Sequence, residues 1–407
     1  MPIAFQQRTL ANGLSIIAET DPEAHTAAIG FFVRTGARDE APAVMGVSHF
    51  LEHMMFKGTD RRTSDDVNRE FDELGARSNA YTSTELTAFH TAVLPEFLPK
   101  ATDILADMMR PALREQDFST ERGVILEEIA MYEDEPFWVL YERASEEHFG
   151  AHPMRHRVLG TKDTITNLTA PQMRDYFANR YSADNTVVAL SGNVDFDAQC
   201  RQIESLCGHW QRTKAARDPV APTVGGKTFE IRSDKVTRAY TMLMAMGPGI
   251  ADPRRYPAFI VAQALGGSDN SKLHWALIEE GLAEEATASF DPHDGFGSLT
   301  VLTACEPARE PEVWTIAQRE LASLADTVTQ GDVERIRAKV ATGVVLAGER
   351  PDGRMHRIGR QWTYLKTYTT LEAELAMINA VTLDDVKQMA RQLAAAPRTV
   401  GRLVPNA

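Results

Sequence analysis

Apolar and polar positions give a mixture of strand and helix signals in each half of the chain. Residues 27–34 are mainly apolar, β-branched or aromatic, and so are residues 240–246, as is typical of buried strands. A loop and then a helical pattern follow each run, and in the second half that pattern covers 256–265. This order predicts an α+β fold, and the correspondence between the halves indicates a faint internal repeat.

One segment between the halves lacks any periodic pattern. Residues 213–227 are rich in Pro, Gly and Ala, which is the composition of a linker. At 407 residues the chain exceeds the size at which a single core keeps growing, so two domains are expected. We therefore predict an N-terminal domain at 1–212, a linker at 213–227 and a C-terminal domain at 228–407.

The sequence HFLEH at 49–53 places two imidazoles and a carboxylate on one face of a predicted helix, because positions i, i+3 and i+4 share a face. His49 and His53 would bind one metal ion, and Glu52 would point at the water on that ion. This order is the inverzincin signature, the reverse of the thermolysin order. The alternative is a solvated helix face whose opposite side packs on the core through Leu51, Met54 and Met55.

A third metal ligand is needed, because a catalytic zinc ion takes three protein ligands and keeps one position open. The pattern at 118–132 indicates a helix with Ser119 or Thr120 as its N-cap. Glu121 and Glu128 lie seven positions apart, two turns along one face, whereas the glutamate before Glu128 is turned about 100° away. We therefore predict Glu128 as the third ligand and Glu121 as its neighbour.

These residues resemble the pitrilysin family of zinc peptidases, which includes insulysin and the mitochondrial processing peptidase. The likeness is to the branch of the processing peptidase and its bacterial counterparts. Four segments carry the family's pattern in family order: TLANGL at 9–14, HFLEHMMFKG at 49–58, GARSNAYTS at 75–83 and ERGVILEEI at 121–129. The resemblance implies two homologous α/β-layered domains that form half of a clam-shell chamber, with a second pair completing it.

Carried over residue by residue, the resemblance implies zinc ligands His49, His53 and Glu128, with one zinc ion per chain. Glu52 would be the general base, and Glu121 would support the site as a further carboxylate. In this chemistry zinc lowers the pKa of a water toward about 7, and the base takes a proton and returns it to the leaving amine. The sequence thus predicts a zinc-dependent endopeptidase.

The segment 78–83 alternates its side chains and follows Gly75, as a strand would. On the residues alone it is an ordinary strand with Tyr81 half buried. The family resemblance instead implies an edge strand to which a substrate peptide adds by main-chain pairing, with Asn79, Ala80 and Tyr81 beside the scissile bond. Such pairing recognises backbone more than sequence, so broad peptide specificity is expected.

A second candidate metal cluster consists of His148, His152 and His156, which recur every four residues. On a continuous helix their imidazoles would align. Pro153 would disrupt such a helix in its middle. We therefore predict solvated loop histidines rather than a metal site.

Composition and charge narrow the classes of partner. The chain is 43% hydrophobic and 25% charged, which is ordinary for a globular protein. Three cysteines are too few for a disulfide framework, so Cys200 and Cys207 are expected as buried free thiols. A net charge of −14 with scattered basic residues argues against nucleic acid. Without an apolar run of about 18 residues or a signal-peptide pattern, we expect a cytoplasmic protein with no membrane partner.

The second half departs from the family's pattern at one place. Many family members carry an Arg and a Tyr near a Gly-Leu-Ala-Tyr segment, where the pair holds the substrate carbonyl and stabilises the oxyanion. Here Glu284 takes the Tyr position, and the Arg position falls on Leu277 or Ile278. The pair must therefore come from a partner subunit, be replaced by a residue such as His274, or be dispensable.

The predicted function is hydrolysis of peptides or unfolded segments inside an enclosed chamber. We expect a homodimer, because two repeats make only half of the chamber that the resemblance implies. The alternative is a metal-bearing subunit that is not proteolytic alone and depends on a second chain carrying the Arg and Tyr. The complete set of zinc ligands favours the enzyme.

Overall fold

The computed structural model describes residues 3–217, 220–267 and 269–406. Its strands are β1 (Ala4–Thr9), β2 (Ser15–Thr20), β3 (Ala27–Val33), β4 (Arg77–Thr82), β5 (Thr87–Val93), β6 (Thr186–Gly192), β7 (Lys227–Ser233), β8 (Ala239–Gly247), β9 (Glu285–Pro292), β10 (Gly297–Cys305) and β11 (Arg398–Pro405). Its helices are α1 (Val47–Met55), α2 (Ser64–Glu73), α3 (Leu98–Met108), α4 (Glu115–Tyr132), α5 (Pro136–Phe149), α6 (Lys162–Asn167), α7 (Ala170–Arg180), α8 (Phe196–Cys207), α9 (Arg255–Gly266), α10 (Glu310–Thr327), α11 (Gln330–Glu349), α12 (Pro351–Leu365), α13 (Leu371–Ala380) and α14 (Leu383–Ala395). None of the helices in these described ranges is long and apolar enough to cross a membrane.

The first compact unit is built around a six-stranded sheet in the order β1-β2-β6-β3-β5-β4. Neighbouring strands are antiparallel, except that β2 and β6 are parallel. β4 ends this order, so its outer edge faces no other strand of the described sheet, as predicted for an edge strand. The unit comprises Met1–Ile129, His156–Asp218 and Val345–Thr369.

The second unit repeats this topology. Its sheet has the order β7-β11-β8-β10-β9, with β7 and β11 parallel and the other neighbours antiparallel. Order and direction match those of β2-β6-β3-β5-β4, which confirms the α+β class and the internal repeat. The predicted strands at 27–34 and 240–246 are β3 and β8, and the predicted helix at 256–265 is α9. The unit comprises Ala130–Arg155, Pro219–Val344 and Thr370–Ala407.

Each unit takes one helix from the other half of the chain. In the first unit α12 packs against β3 and β6, and buries Met355 and Ile358 beside Phe32. In the second unit α5 packs against β8 and β11 through Leu140 and Ala144. The apolar core of each unit therefore depends on residues that are distant in sequence.

The compact units are discontinuous, whereas the predicted division into 1–212, 213–227 and 228–407 is a single cut. That division stays a prediction about the two homologous domains. Asp218 and Pro219, which fall within its linker, lie outside the described residues. A single cut was the only division that composition offered, because nothing in the pattern of 345–369 indicates that this segment packs with the first half.

The start of α4 corrects one prediction. Neither Ser119 nor Thr120 is the N-cap, because the helix already begins at Glu115. Their hydroxyls donate to main-chain carbonyls one turn back, at 2.8 Å to Glu115 and 3.1 Å to Gln116. Hydroxyl side chains can bond in this way within a helix, so their presence does not fix where a helix starts.

Two helical glycines in the first unit give a test of the packing between α12 and the sheet. A methyl group on Gly359 would collide with the ring of Phe32, which is fully buried, whereas one on Gly123 of α4 would meet no atom within 4 Å. Both changes to Ala gain about 0.5–1 kcal/mol of helix propensity. We expect Gly123→Ala to raise the midpoint of urea unfolding.

Gly359→Ala should lower that midpoint, because overpacking a core costs about 1–3 kcal/mol and outweighs the gain in propensity. Urea denaturation of both full-length variants, followed by circular dichroism, measures the difference. A Gly359→Ala protein as stable as Gly123→Ala would show that α12 does not pack closely on Phe32.

Candidate metal centre

α1 has one face in the core and another that carries the polar residues of the HFLEH sequence. Its apolar residues are fully buried: Val47, Phe50, Leu51, Met54 and Met55. His49 is only 8% exposed, while Glu52 and His53 are partly exposed. The alternative of a solvated helix face therefore accounts for the core contacts of α1 but not for the burial of His49.

α4 supplies a carboxylate to the two histidines. Phe50 of α1 stacks on Phe118 of α4, with ring centroids 4.7 Å apart. Within the described part of the chain, His49, His53 and Glu128 are the one group of potential ligands whose atoms all lie within 4.8 Å of one another. The Nε2 atom of each histidine lies 3.7 Å from Glu128 Oε2. The structure thus brings together the three predicted ligands.

The separations and the chemistry of this group fit a zinc ion. Two ligands that bind at about 2.0–2.1 Å with tetrahedral angles lie roughly 3.4 Å apart. The observed 3.7 Å between each imidazole and Glu128 is close to that value. Two imidazoles and one carboxylate are also a ligand set of catalytic zinc sites that keep a fourth position open.

The protonation of the group favours metal binding. Burial, together with the nearby His53, lowers the pKa of His49 to about 3. His49 is therefore a neutral imidazole at ordinary pH, which is the form that binds a metal ion. Burial raises the pKa of Glu128, and His53 opposes that rise. A bound cation would oppose that rise and favour the charged carboxylate.

Glu121 holds the outer side of His53. His53 Nδ1 lies 2.9 Å from Glu121 Oε1, and a carboxylate only accepts hydrogen bonds, so Nδ1 carries the proton and Nε2 presents its lone pair toward Glu128. Lys57 Nζ lies 2.6 Å from the other oxygen of Glu121. Burial alone would raise the pKa of Glu121, but the contacts with Lys57 and His53 outweigh it and lower that pKa. The carboxylate is therefore charged.

Lys57 is a site residue that the sequence analysis missed. It follows His53 by four positions, the spacing of one helical turn, and this was the available signal. The signal is weak because α1 ends at Met55, before Lys57 is reached. Only the structure shows the lysine beside Glu121.

Glu52 is held from the sheet. Thr82, the last residue of β4, donates its hydroxyl to Glu52 Oε2 at 2.6 Å. Burial raises the pKa of Glu52, while the hydrogen bond from Thr82 opposes the rise. A partly buried carboxylate with a raised pKa suits proton transfer near neutral pH. Thr82 is one position beyond the three residues that the sequence analysis selected.

Those three residues, Asn79, Ala80 and Tyr81, lie on β4 with alternating orientation. Ala80 shares the face of Thr82. Tyr81 turns to the opposite face, where its half-buried ring lies 6.0 Å from that of His356 on α12. Asn79 Oδ1 accepts the Ala80 N–H at 2.9 Å. A contact between this strand and a peptide stays a prediction, and it concerns the backbone edge of β4 rather than the side chain of Tyr81.

The surroundings predicted for the second histidine cluster were partly wrong. α5 ends at Phe149, so His148, His152 and His156 do not share a helix. His148 is fully buried at the end of α5 and lies 3.1 Å from Thr399 Oγ1, so it is not a solvated loop residue. His152 and His156 are partly buried and contact main-chain oxygens.

The cysteines agree with the sequence prediction. Cys200 and Cys207 both lie on α8, and both are free and buried. Burial raises the pKa of the Cys207 thiol to about 12. These thiols are therefore packing residues of the first unit.

The structure shows the surroundings of the positions where this chain lacks the family's Arg and Tyr. Leu277 lies in the helical turn His274–Ile278 and is fully buried. The Glu284 carboxylate lies 2.6 Å from Arg238 Nε, and His274 Nε2 lies 3.1 Å from Glu279 Oε1. Neither Leu277 nor Glu284 can act as the Arg or the Tyr of the family's pair.

The chain matches two family models, Insulinase (Peptidase family M16) over residues 15–162 and Peptidase M16 inactive domain over residues 167–340. An uncharacterised zinc protease of Streptomyces coelicolor is 33% identical over 401 residues, which cover 95% of this chain and 87% of that protein. An uncharacterised zinc protease of Bacillus subtilis is 30% identical over 398 residues, which cover 96% of this chain and 95% of that protein.

Solved structures show the same fold. A protease from Helicobacter pylori has a TM-score of 0.91 at 19% identity and covers both chains completely. A putative M16-like peptidase from Alicyclobacillus acidocaldarius has a TM-score of 0.84 at 21% identity and covers 100% of this chain and 99% of its own. With the four sequence motifs and the repeated topology, these similarities establish that the chain belongs to peptidase family M16, the insulinase or pitrilysin family.

Proposed function

We propose that this protein is a zinc-dependent endopeptidase that hydrolyses peptides or unfolded segments. The observation that carries the proposal is the convergence of His49, His53 and Glu128 beside Glu52, whose carboxylate is oriented by Thr82. The zinc protease names of relatives that match nearly the whole chain support it.

The proposed roles follow from the positions of the side chains. Zinc, when bound, polarises a carbonyl oxygen and lowers the pKa of a coordinated water. His49, His53 and Glu128 would hold the ion, and Glu121 fixes the tautomer in which His53 presents Nε2. Glu52 accepts a proton from the attacking water and later donates it to the leaving amine. The hydrogen bond from Thr82 keeps the Glu52 carboxylate in place for both transfers.

The substrate would bind along the free edge of β4. A peptide that adds to this edge in an extended conformation pairs with the main chain, so its sequence matters less than its ability to unfold. The Ala80 N–H, now bonded to Asn79 Oδ1, is a donor that such a peptide would take over. The edge continues to Thr82, so the paired peptide would approach the Glu52 carboxylate.

The alternative function is a metal-bearing subunit that depends on a second chain for proteolysis. It is supported by the residues at the positions of the family's Arg and Tyr, because Leu277 is buried and Glu284 is paired with Arg238. An oxyanion donor contributes about 3 kcal/mol to transition-state stabilisation, so its loss would slow a chain acting alone.

Metal content is the first test. We expect about one zinc ion per chain in the purified wild type, because three ligands and a water complete a catalytic site. His53→Ala and Glu128→Gln should each lose the metal. His209→Ala, which removes an exposed histidine from the same unit, should retain it. Elemental analysis by mass spectrometry measures the content, and zinc retained in both ligand variants would overturn the site.

Proton transfer is tested by separating turnover from metal binding. Glu52→Gln should keep its zinc and lower kcat for a quenched peptide by roughly 100-fold or more, because an amide cannot accept the proton. Thr82→Val should lower kcat by about 3- to 10-fold through loss of one hydrogen bond. Thr91→Val, another buried threonine of the sheet, should leave kcat unchanged. Full activity in Glu52→Gln would exclude Glu52 as the base.

Oligomeric state separates the two candidate functions. We propose a homodimer and expect light scattering to give twice the mass of the 45.1 kDa chain, together with peptide cleavage by that dimer. A monomer that cleaves at full rate would contradict the dimer. A dimer that stays inert until a chain carrying the Arg and Tyr is added would instead establish the partner-dependent subunit.

A further inference from the structure

The start of α1 is held by a buried carboxylate from outside the helix. Gly46, the residue before the helix, has a positive φ of 93° and no side chain to cap the first turn. Glu40 takes that role, because its Oε2 accepts the Gly46 N–H and its Oε1 accepts the Ser48 N–H, both at 2.7 Å. Two separate N–H groups bonded to one carboxylate fix the helix against both translation and rotation.

A chain of hydroxyl groups holds the same point from the other side. Ser48 Oγ lies 2.7 Å from Tyr176 OH, which lies 2.8 Å from Thr35 Oγ1. Arg180 Nε donates to that Thr35 hydroxyl at 3.1 Å, and its guanidinium lies 2.7 Å from Asp39, the residue next to Glu40. This series of hydrogen bonds therefore starts at Ser48, the residue before His49, and ends at Asp39, in the segment that carries Glu40.

This arrangement is costly for a role in folding alone. Glu40 is 4% exposed, and among the described residues no cation forms an ion pair with it. Burial raises the pKa of its carboxyl to about 8, although the hydrogen bonds from Ser48 and Gly46 oppose that rise. Burial thus favours the neutral carboxyl while the two N–H donors favour the charged one, so the cost of burying the group is only partly offset. Compared with a side chain that has a single acceptor, the Glu40 carboxyl group offers two oxygens at a fixed separation, one for the Gly46 N–H and one for the Ser48 N–H.

We propose that Glu40 is a positioning residue of the metal centre, which sets the placement of His49, Glu52 and His53 by holding the start of α1 at two points. The inference rests on the proposed function for its catalytic consequence, but its first consequence is metal affinity. Ligands that shift relative to one another bind zinc less tightly, and outer partners of ligands typically contribute 10- to 100-fold in affinity or activity. Glu40 itself touches neither the ligands nor the substrate edge.

The test is Glu40→Gln in the full chain, compared with Glu19→Gln. Glu19 is also buried in the first unit, where it contacts Arg354, Arg357 and Tyr368 and lies outside the site. Gln at position 40 keeps the size but offers one oxygen and turns an N–H donor toward the other backbone N–H. We expect zinc affinity, measured by competition with a chelator, to fall about 10- to 100-fold. We expect kcat to fall as well, while KM stays within about twofold of the wild-type value.

Glu19→Gln should lower the unfolding midpoint while zinc affinity stays at the wild-type value. The cobalt-substituted Glu40→Gln protein should also show an altered visible spectrum, which reports ligand geometry without any peptide. Tyr176→Phe provides a milder variant should Glu40→Gln fail to fold, with an expected loss of affinity of roughly 3- to 10-fold for one hydrogen bond.

Unchanged zinc affinity and an unchanged cobalt spectrum in Glu40→Gln, or in Tyr176→Phe where only that variant folds, would overturn the inference. An equal loss of affinity in Glu19→Gln would overturn it too, because the effect would then be general destabilisation. Absence of peptide cleavage by the wild type would contradict the proposed function and would leave these metal measurements valid.

Discussion

The stacking of Phe50 on Phe118 is the contact on which the site depends. It joins α1, which carries both histidines, to α4, which carries Glu121 and Glu128. An apolar contact between two helices fixes the distance between them and leaves their polar faces free to carry the candidate ligands. The repeat of 3.6 residues then places each carboxylate.

Apolar packing sets where the helices lie, and polar contacts set how each functional group is turned. Glu121 and Lys57 orient His53, Thr82 orients Glu52, and Glu40 holds the start of α1. These contacts come from four places, namely α4, the segment that follows α1, the sheet edge and the segment before α1. Such a division of roles is common where reactive groups must be kept in one geometry, because the supporting groups determine the precision of the site.

The grouping of the three candidate ligands could be predicted from sequence because their spacing reports helix geometry directly. His49, His53 and Glu52 lie within one turn and a fraction, and Glu128 is marked by its two-turn distance from Glu121. The repeat was visible for a similar reason, since β3 and β8 are buried on both faces and give continuous apolar runs.

The supporting residues could not be predicted, because their partners are remote in sequence. Thr82 and Glu52 are separated by 30 positions, and Glu40 lies in an irregular segment with no period to relate it to α1. The discontinuous units were hidden for the same reason, because α12 shows the amphipathic pattern of any helix and does not indicate which sheet it covers. The N-cap of α4 was misplaced because a hydroxyl inside a helix can also bond to a main-chain carbonyl one turn back.

The most direct measurement is a crystal structure of the protein as purified, with anomalous diffraction data recorded on both sides of the zinc absorption edge. The proposed site predicts one anomalous peak per chain, at about 2.0–2.2 Å from His49 Nε2, His53 Nε2 and a Glu128 oxygen. A zinc peak bound elsewhere, or zinc in the protein without a peak beside these three side chains, would contradict the account.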